Sequence, residues 1–321
     1  MTTVSRKPLR VLAIGCLLAV AATLGASPAQ AEPTPAELAA QIDKASEELE
    51  KVIESFNKVT EQLKVTRESV DKLNIQLKPA QDKVDAARGR IGAVAAAAYK
   101  GQSVSSMSAL LSSQNPSSLM EQLTILDQFA YGQQQEISAY NQAKSAYDGE
   151  KTKLDAALNQ QTAQEKELAG QKAKIEEELK KLQEQRKKAG IGPGGTVGLP
   201  APHLPGTAGK AVDFAYGVVG KPYIFNAAGP NGYDCSGLTM AAWKSAGVSL
   251  PHNAAMQWDA TAHIQRGELQ PGDLVFSNGL GHVAIYVGND KVIHAPQPGQ
   301  NVMMAPITQI GSIYGYGRVR G

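Results

Sequence analysis

The sequence has little of three things: cysteine, with only Cys16 and Cys235 among 321 residues; aromatic residues, at 5%; and net charge, with 32 basic against 30 acidic side chains. Two cysteines far apart exclude a disulfide-stapled scaffold and the paired-cysteine zinc motifs. The charge balance excludes the strongly basic surface that a nucleic-acid partner requires. Apart from one stretch near the start, no apolar run approaches the ~20 residues needed to span a bilayer. Most of the few aromatics fall in the last third. That skew places one globular domain at the C-terminus and something elongated before it.

The exception is residues 1–31. Arg6, Lys7 and Arg10 precede a mostly apolar run from Val11 to Gly25, and Ala29-Gln30-Ala31 follows. This is the layout of a secretory signal, with cleavage expected after Ala31. The mature chain would then carry 29 basic and 30 acidic residues, and Cys235 would have no intrachain partner. An odd cysteine in an exported protein is either an intermolecular bridge or a reactive thiol. The polar neighbours Asp234 and Ser236 favour the second.

From residue 35 to 188 the pattern is that of a long helical hairpin. Ile42, Leu49, Phe56, Leu63, Val70, Leu77, Val84 and Ile91 recur every seven residues, each followed three positions later by Ala45, Val52, Val59, Thr66, Leu73, Ala80, Ala87 or Val94. This is a coiled-coil seam on the order of 80 Å long. Pro79 lies off the seam and is expected to kink the rod. A second, weaker seam runs through Leu119, Leu126, Tyr140, Tyr147, Leu154, Leu168, Ile175 and Leu182. The serine-rich segment 101–118 between them reads as the hairpin tip, either a solvated turn or, through Met107, Leu110 and Leu111, a docking site. Residues 189–207 are rich in glycine and proline and read as a linker.

Residues 208–321 read as helices first and strands after, an α+β domain with an antiparallel sheet. Cys235 opens a helix, where unpaired N–H groups and the dipole favour a thiolate. His282 starts a strand that turns at Gly288-Asn289-Asp290 and returns to His294. A three-residue loop would pair Val287 with Lys291 and Ala284 with His294, which puts both histidines on one sheet face. His282 would then take the proton from Cys235 while His294 orients the ring. His252 is expected to border the cleft, and His263 to be solvated.

Pro222-Tyr223, Asp234-Cys235-Ser236-Gly237-Leu238, Leu250-Pro251, Pro271-Gly272-Asp273-Leu274-Val275-Phe276, Gly281-His282-Val283-Ala284-Ile285-Tyr286 and the late His294 resemble the NlpC-type cell-wall peptidases. The resemblance implies a papain-like α+β fold and a catalytic set of Cys235, His282 and His294, with Tyr223, Asp234 and Ser236 at the substrate and no cofactor. It further implies hydrolysis of peptidoglycan stem peptides between γ-D-glutamate and diaminopimelate. The sequence departs from the family pattern at Phe225-Asn226, where Trp-Gly is common. The hairpin and linker are similar in layout to secreted Rip-type division endopeptidases, which implies inhibition by the hairpin and docking of its tip on a membrane division complex. On that reading, residues 208–321 alone should cleave faster than residues 32–321. The competing readings are a non-enzymatic coiled-coil adaptor with a wall-binding final domain, and a zinc site built from Cys235, His282 and His294.

Overall fold

The computed structural model describes residues 34–100, 116–194 and 200–320. The expected signal segment, residues 101–115 of the expected tip and residues 195–199 of the expected linker lie outside the described residues. Two long helices come first, α1 (Pro35–Tyr99) and α2 (Pro116–Lys188). They run antiparallel within the one chain: Arg90 pairs with Glu136 and Arg67 with Glu165. At 1.5 Å per residue, α1 is about 98 Å long. Helical assignment continues without a break through Pro79.

One row of the α1 seam is buried, while Ala45 and Val52 of the other row are exposed. Ile42, Leu49, Phe56, Leu63 and Val70 are buried, and Ile175 and Leu182 meet them from α2. A second stripe of α1 is buried too, and it is mostly polar: Ser46, Glu50, Glu54 and Asn57. Their spacing places them on one helix face, offset from the seam. Ile53, completely buried, lies between the two stripes. Polar residues on a free rod would be solvated, so this second stripe marks a docked face.

The C-terminal domain carries α3 (Gly206–Gly217), α4 (Cys235–Ser245) and α5 (Ala254–Ala260), then β1 (Ala262–Ile264), β2 (Leu274–Ser277), β3 (His282–Gly288), β4 (Lys291–His294), β5 (Met303–Pro306) and β6 (Ile313–Arg318). The strands form one antiparallel sheet in the order β1-β6-β2-β3-β4-β5. Alternate residues of β3 divide between two cores: Val283, Ile285 and Val287 join the helices, while Ala284 and Tyr286 pack with Val292 and Ile307.

Two expectations are adjusted, and one strand was not expected. The expected linker is partly structured: the carbonyl of Pro193 accepts from Asn301 N (2.8 Å), and α3 begins at Gly206. The edge strand β1, only three residues long, gave no alternating pattern to read. The β3–β4 connection is a two-residue loop, Asn289-Asp290, both with positive φ, and Gly288 rather than Val287 faces Lys291. A bulge between Tyr286 and Gly288 supplies the missing residue. Because Ile285 faces Ile293, Ala284 still falls opposite His294, and the histidines keep a common face.

Candidate active site

Asp234 sets the local structure of the site. Its Oδ1 accepts from Gly237 N at 2.7 Å and caps α4, so Cys235 takes the first helical position. Gly237 has no alternative there, because a Cβ would come within 2.2 Å of the Ala227 carbonyl oxygen. The second partner of Asp234 Oδ1 is His252 Nε2, at 2.7 Å. Burial pulls the His252 pKa down, but the Asp234 carboxylate outweighs it, and the net shift is upward.

The ring of His282 bridges the site. Its Nε2 lies 2.9 Å from His294 Nδ1, and the two rings meet edge to face. Burial, then the neighbouring His282, hold His294 well below the ordinary imidazole range, so His294 is neutral. A His282 ring nitrogen, Cys235 Sγ and a Glu50 oxygen lie within 4.8 Å of one another. The residues expected at Cys235, His282 and His294 therefore come together, from α4, β3 and β4. His294 is not part of the cluster of Cys235, His282 and Glu50, because its Nδ1 faces His282 Nε2.

The surprise is what covers them. Glu50, Glu54 and Asn57 of α1 engage all three residues expected to meet substrate. Tyr223 OH donates to Glu50 Oε2 at 2.6 Å, Ser236 Oγ donates to Glu54 Oε1 at 2.6 Å, and Asn57 Nδ2 donates to Asp234 Oδ2 at 3.1 Å. Glu54 Oε2 also accepts from Asn253 Nδ2 (2.8 Å) and Ala254 N (2.5 Å). Phe56 meets Phe225 edge to face at 5.0 Å, where the sequence departs from the family pattern. Asn226 beside it has φ +53, a conformation that glycine adopts freely and asparagine tolerates.

This cover changes the chemistry. Burial first, then Glu50, Glu54 and Asp234, push the Cys235 thiol well above its ordinary value. The helix dipole that favours a thiolate is overruled, and the docked site holds a neutral thiol. Glu54 is pushed up to about 8, by burial and then by Asp234; burial likewise raises Glu50. Docked Glu54 thus binds its proton more tightly than a free carboxylate with its ordinary value of 4.5. Below that value the docked and free forms are both protonated and docking keeps this contribution in full. It is lost progressively as pH rises toward about 8. With Glu50, Asp234, Cys235 and His252 facing Glu54, we expect the fraction of Cys235 open to a thiol reagent to grow between pH 5 and pH 8, relative to a permanently undocked variant. Glu54→Gln, which cannot ionise, should flatten that growth, and an unchanged slope would count against Glu54 as the titrating group.

The model of the NlpC/P60 family matches residues 220–318. A protein named probable endopeptidase from Mycobacterium tuberculosis is 37% identical over 126 residues, 38% of this chain and 33% of that protein. A probable endopeptidase p60 of Listeria monocytogenes is 42% identical over 84 residues, 25% of this chain and 17% of its own length. The matched segment thus spans a third or less of these curated relatives. A crystal structure of an NlpC/P60 family protein from Bacillus cereus superposes with a TM-score of 0.34 at 30% identity, covering 37% of this chain and 41% of that one. The segment that carries Cys235, His282 and His294 is an NlpC/P60 domain.

Proposed function

We propose that the protein is a cysteine endopeptidase that hydrolyses peptidoglycan stem peptides, at the bond between γ-D-glutamate and diaminopimelate, during wall remodelling or daughter-cell separation. The observation that carries this reading is the Cys235–His282–His294 arrangement, with His282 held by His294 at 2.9 Å and a ring nitrogen within 4.8 Å of the thiol. In the reaction, His282 takes the Cys235 proton and the thiolate attacks the amide carbon. The N–H groups at the start of α4 stabilise the oxyanion, His282 protonates the leaving amine, and water releases the acyl group.

Tyr223, Asp234 and Ser236 would hold the stem peptide. The docked helix supports that assignment: the Asn57 amide N–H points at Asp234, as a substrate amine would, while the Glu54 carboxylate fills a nest of donors suited to a substrate carboxylate. The hairpin is therefore a plug, and the described arrangement is a closed one. The export signal at 1–31 fits action outside the cytoplasm, and among the described residues no helix is long and apolar enough to cross a membrane. Docking of the 101–118 tip on a membrane division complex would supply the pull that opens the plug.

Mass spectrometry of muropeptide digests by an opened variant tests the reaction and the bond together. Products ending at γ-D-glutamate are expected, and intact muropeptides would refute the reading. In the same assay His294→Ala should lower kcat on the order of 10²-fold with KM little changed, and His294→Gln, which keeps an acceptor for His282, should recover much of it.

A further inference from the structure

We propose that the closed form contains a site for a divalent zinc ion, built from Glu50 of α1, Cys235 of α4 and His282 of β3, which latches the hairpin onto the domain. The proposal rests on the closed arrangement and not on the hydrolytic reading. The three ligand atoms lie within 4.8 Å of one another, and all three residues are buried. Around tetrahedral zinc, with bonds of about 2.0–2.3 Å, ligand atoms sit about 3.3–3.8 Å apart. The His282 Nδ1 to Glu50 Oε1 distance is already 3.9 Å, so that pair needs only a small contraction, and Cys235 Sγ, within 4.8 Å of both residues, must close the rest.

A second observation points to a cation. Glu50 Oε1 is buried and has no hydrogen-bond partner, while Oε2 is taken by Tyr223. A carboxylate oxygen left bare inside protein is costly unless something positive meets it. The nearby Glu54 is satisfied by Asn57, Ser236, Asn253, Ala254 and the Cys235 thiol, which donates to its Oε1 at 3.5 Å and would give up that bond on ligating zinc, and Asp234 by Gly237, His252 and Asn57. Of these three carboxylates, Glu50 alone keeps an oxygen without a hydrogen bond, and that oxygen faces His282 Nδ1 at 3.9 Å.

The donor set suits zinc, which takes sulfur, imidazole and carboxylate together. His282 would ligate through Nδ1 with Nε2–H donating to His294, the outer hydrogen bond that fixes a metal-binding imidazole. A fourth position has space on the side of a cavity of about 440 Å³, which Glu50, His282 and His294 line together with Asp43, Lys44 and Glu47. Binding converts the Cys235 thiol to a zinc thiolate and releases its proton to water, with no change of oxidation state. Because one ligand belongs to the hairpin and two to the domain, the metal holds only the docked form tightly.

The test is a zinc titration of the full chain against a chromophoric chelator, with cobalt(II) in parallel. We expect one equivalent bound, a thiolate-to-cobalt charge-transfer band, and a thermal midpoint that rises with zinc. Glu50→Gln keeps an acceptor for Tyr223 but ligates poorly, so zinc affinity should fall at least about tenfold and the zinc-dependent rise in midpoint should shrink. Cys235→Ser should lose the band. Equal zinc affinity in Glu50→Gln and wild type, with the variant's metal-free helicity and midpoint preserved, would overturn the latch, as would the lack of a stoichiometric site in wild type.

Discussion

Asn57→Asp in the full chain should raise stem-peptide hydrolysis about a hundredfold at pH 8. The substitution alters neither size nor shape, but it turns a donor into an acceptor at the one point where α1 touches Asp234. Asn57 Nδ2 lies 3.1 Å from Asp234 Oδ2 and 3.2 Å from Glu54 Oε1, and the side chain is 1% exposed. An aspartate would place a third acidic group against Glu54 and Asp234 inside a buried contact. Hydrogen bonds to charged groups are worth about 1.5–3 kcal/mol each, and leaving a buried acceptor unmatched costs about as much again. A loss of about 3 kcal/mol in docking moves the closed-to-open ratio by about two decades. Asn57→Ala should release less, because it removes the donor without adding a charge. If Asn57→Asp left the rate unchanged while circular dichroism showed an intact fold, α1 would not be what limits access.

Within that opened background, Cys235→Ala should abolish turnover, a loss of about 10⁴-fold or more, as expected when the nucleophile of a unit that acts together is removed. Cys235→Ser should lose nearly as much. The oxygen is smaller and far less acidic than the sulfur it replaces, and a neutral imidazole is a weak base for it. The double variant matters because the closed wild type is already slow, and a loss read against a suppressed rate would look small. Retained hydrolysis in Asn57→Asp/Cys235→Ala would remove the thiol from the mechanism and leave the adaptor reading standing.

That Cys235 comes together with His282 and His294 was legible in the sequence because the signals are local. Asp234-Cys235-Ser236-Gly237 writes out a capped helix start, and the alternation in 282–287 and 291–294 fixes which residues share a sheet face. The loop-length error did no harm, since the bulge at β3 restored the register that a three-residue loop would have given. The cover over the site was not legible. Glu50, Glu54 and Asn57 occupy positions off the heptad seam, where polar residues ordinarily face water, and their partners lie more than 170 residues away. One hint was available: Ile53 is apolar at an off-seam position, and in the structure it is completely buried between the seam and the docked stripe. His252 was expected at the border of the cleft, but its bond to Asp234, 18 residues away, was not legible.

The account stands on α1 closing a reactive thiol. The direct measurement is the rate at which iodoacetamide modifies Cys235, the one cysteine among the described residues, followed by peptide mass spectrometry in the full chain and in Asn57→Asp. Slow modification in the wild type and modification about a hundredfold faster in the variant is the predicted result. Equal rates, whether fast in both or slow in both, would contradict it.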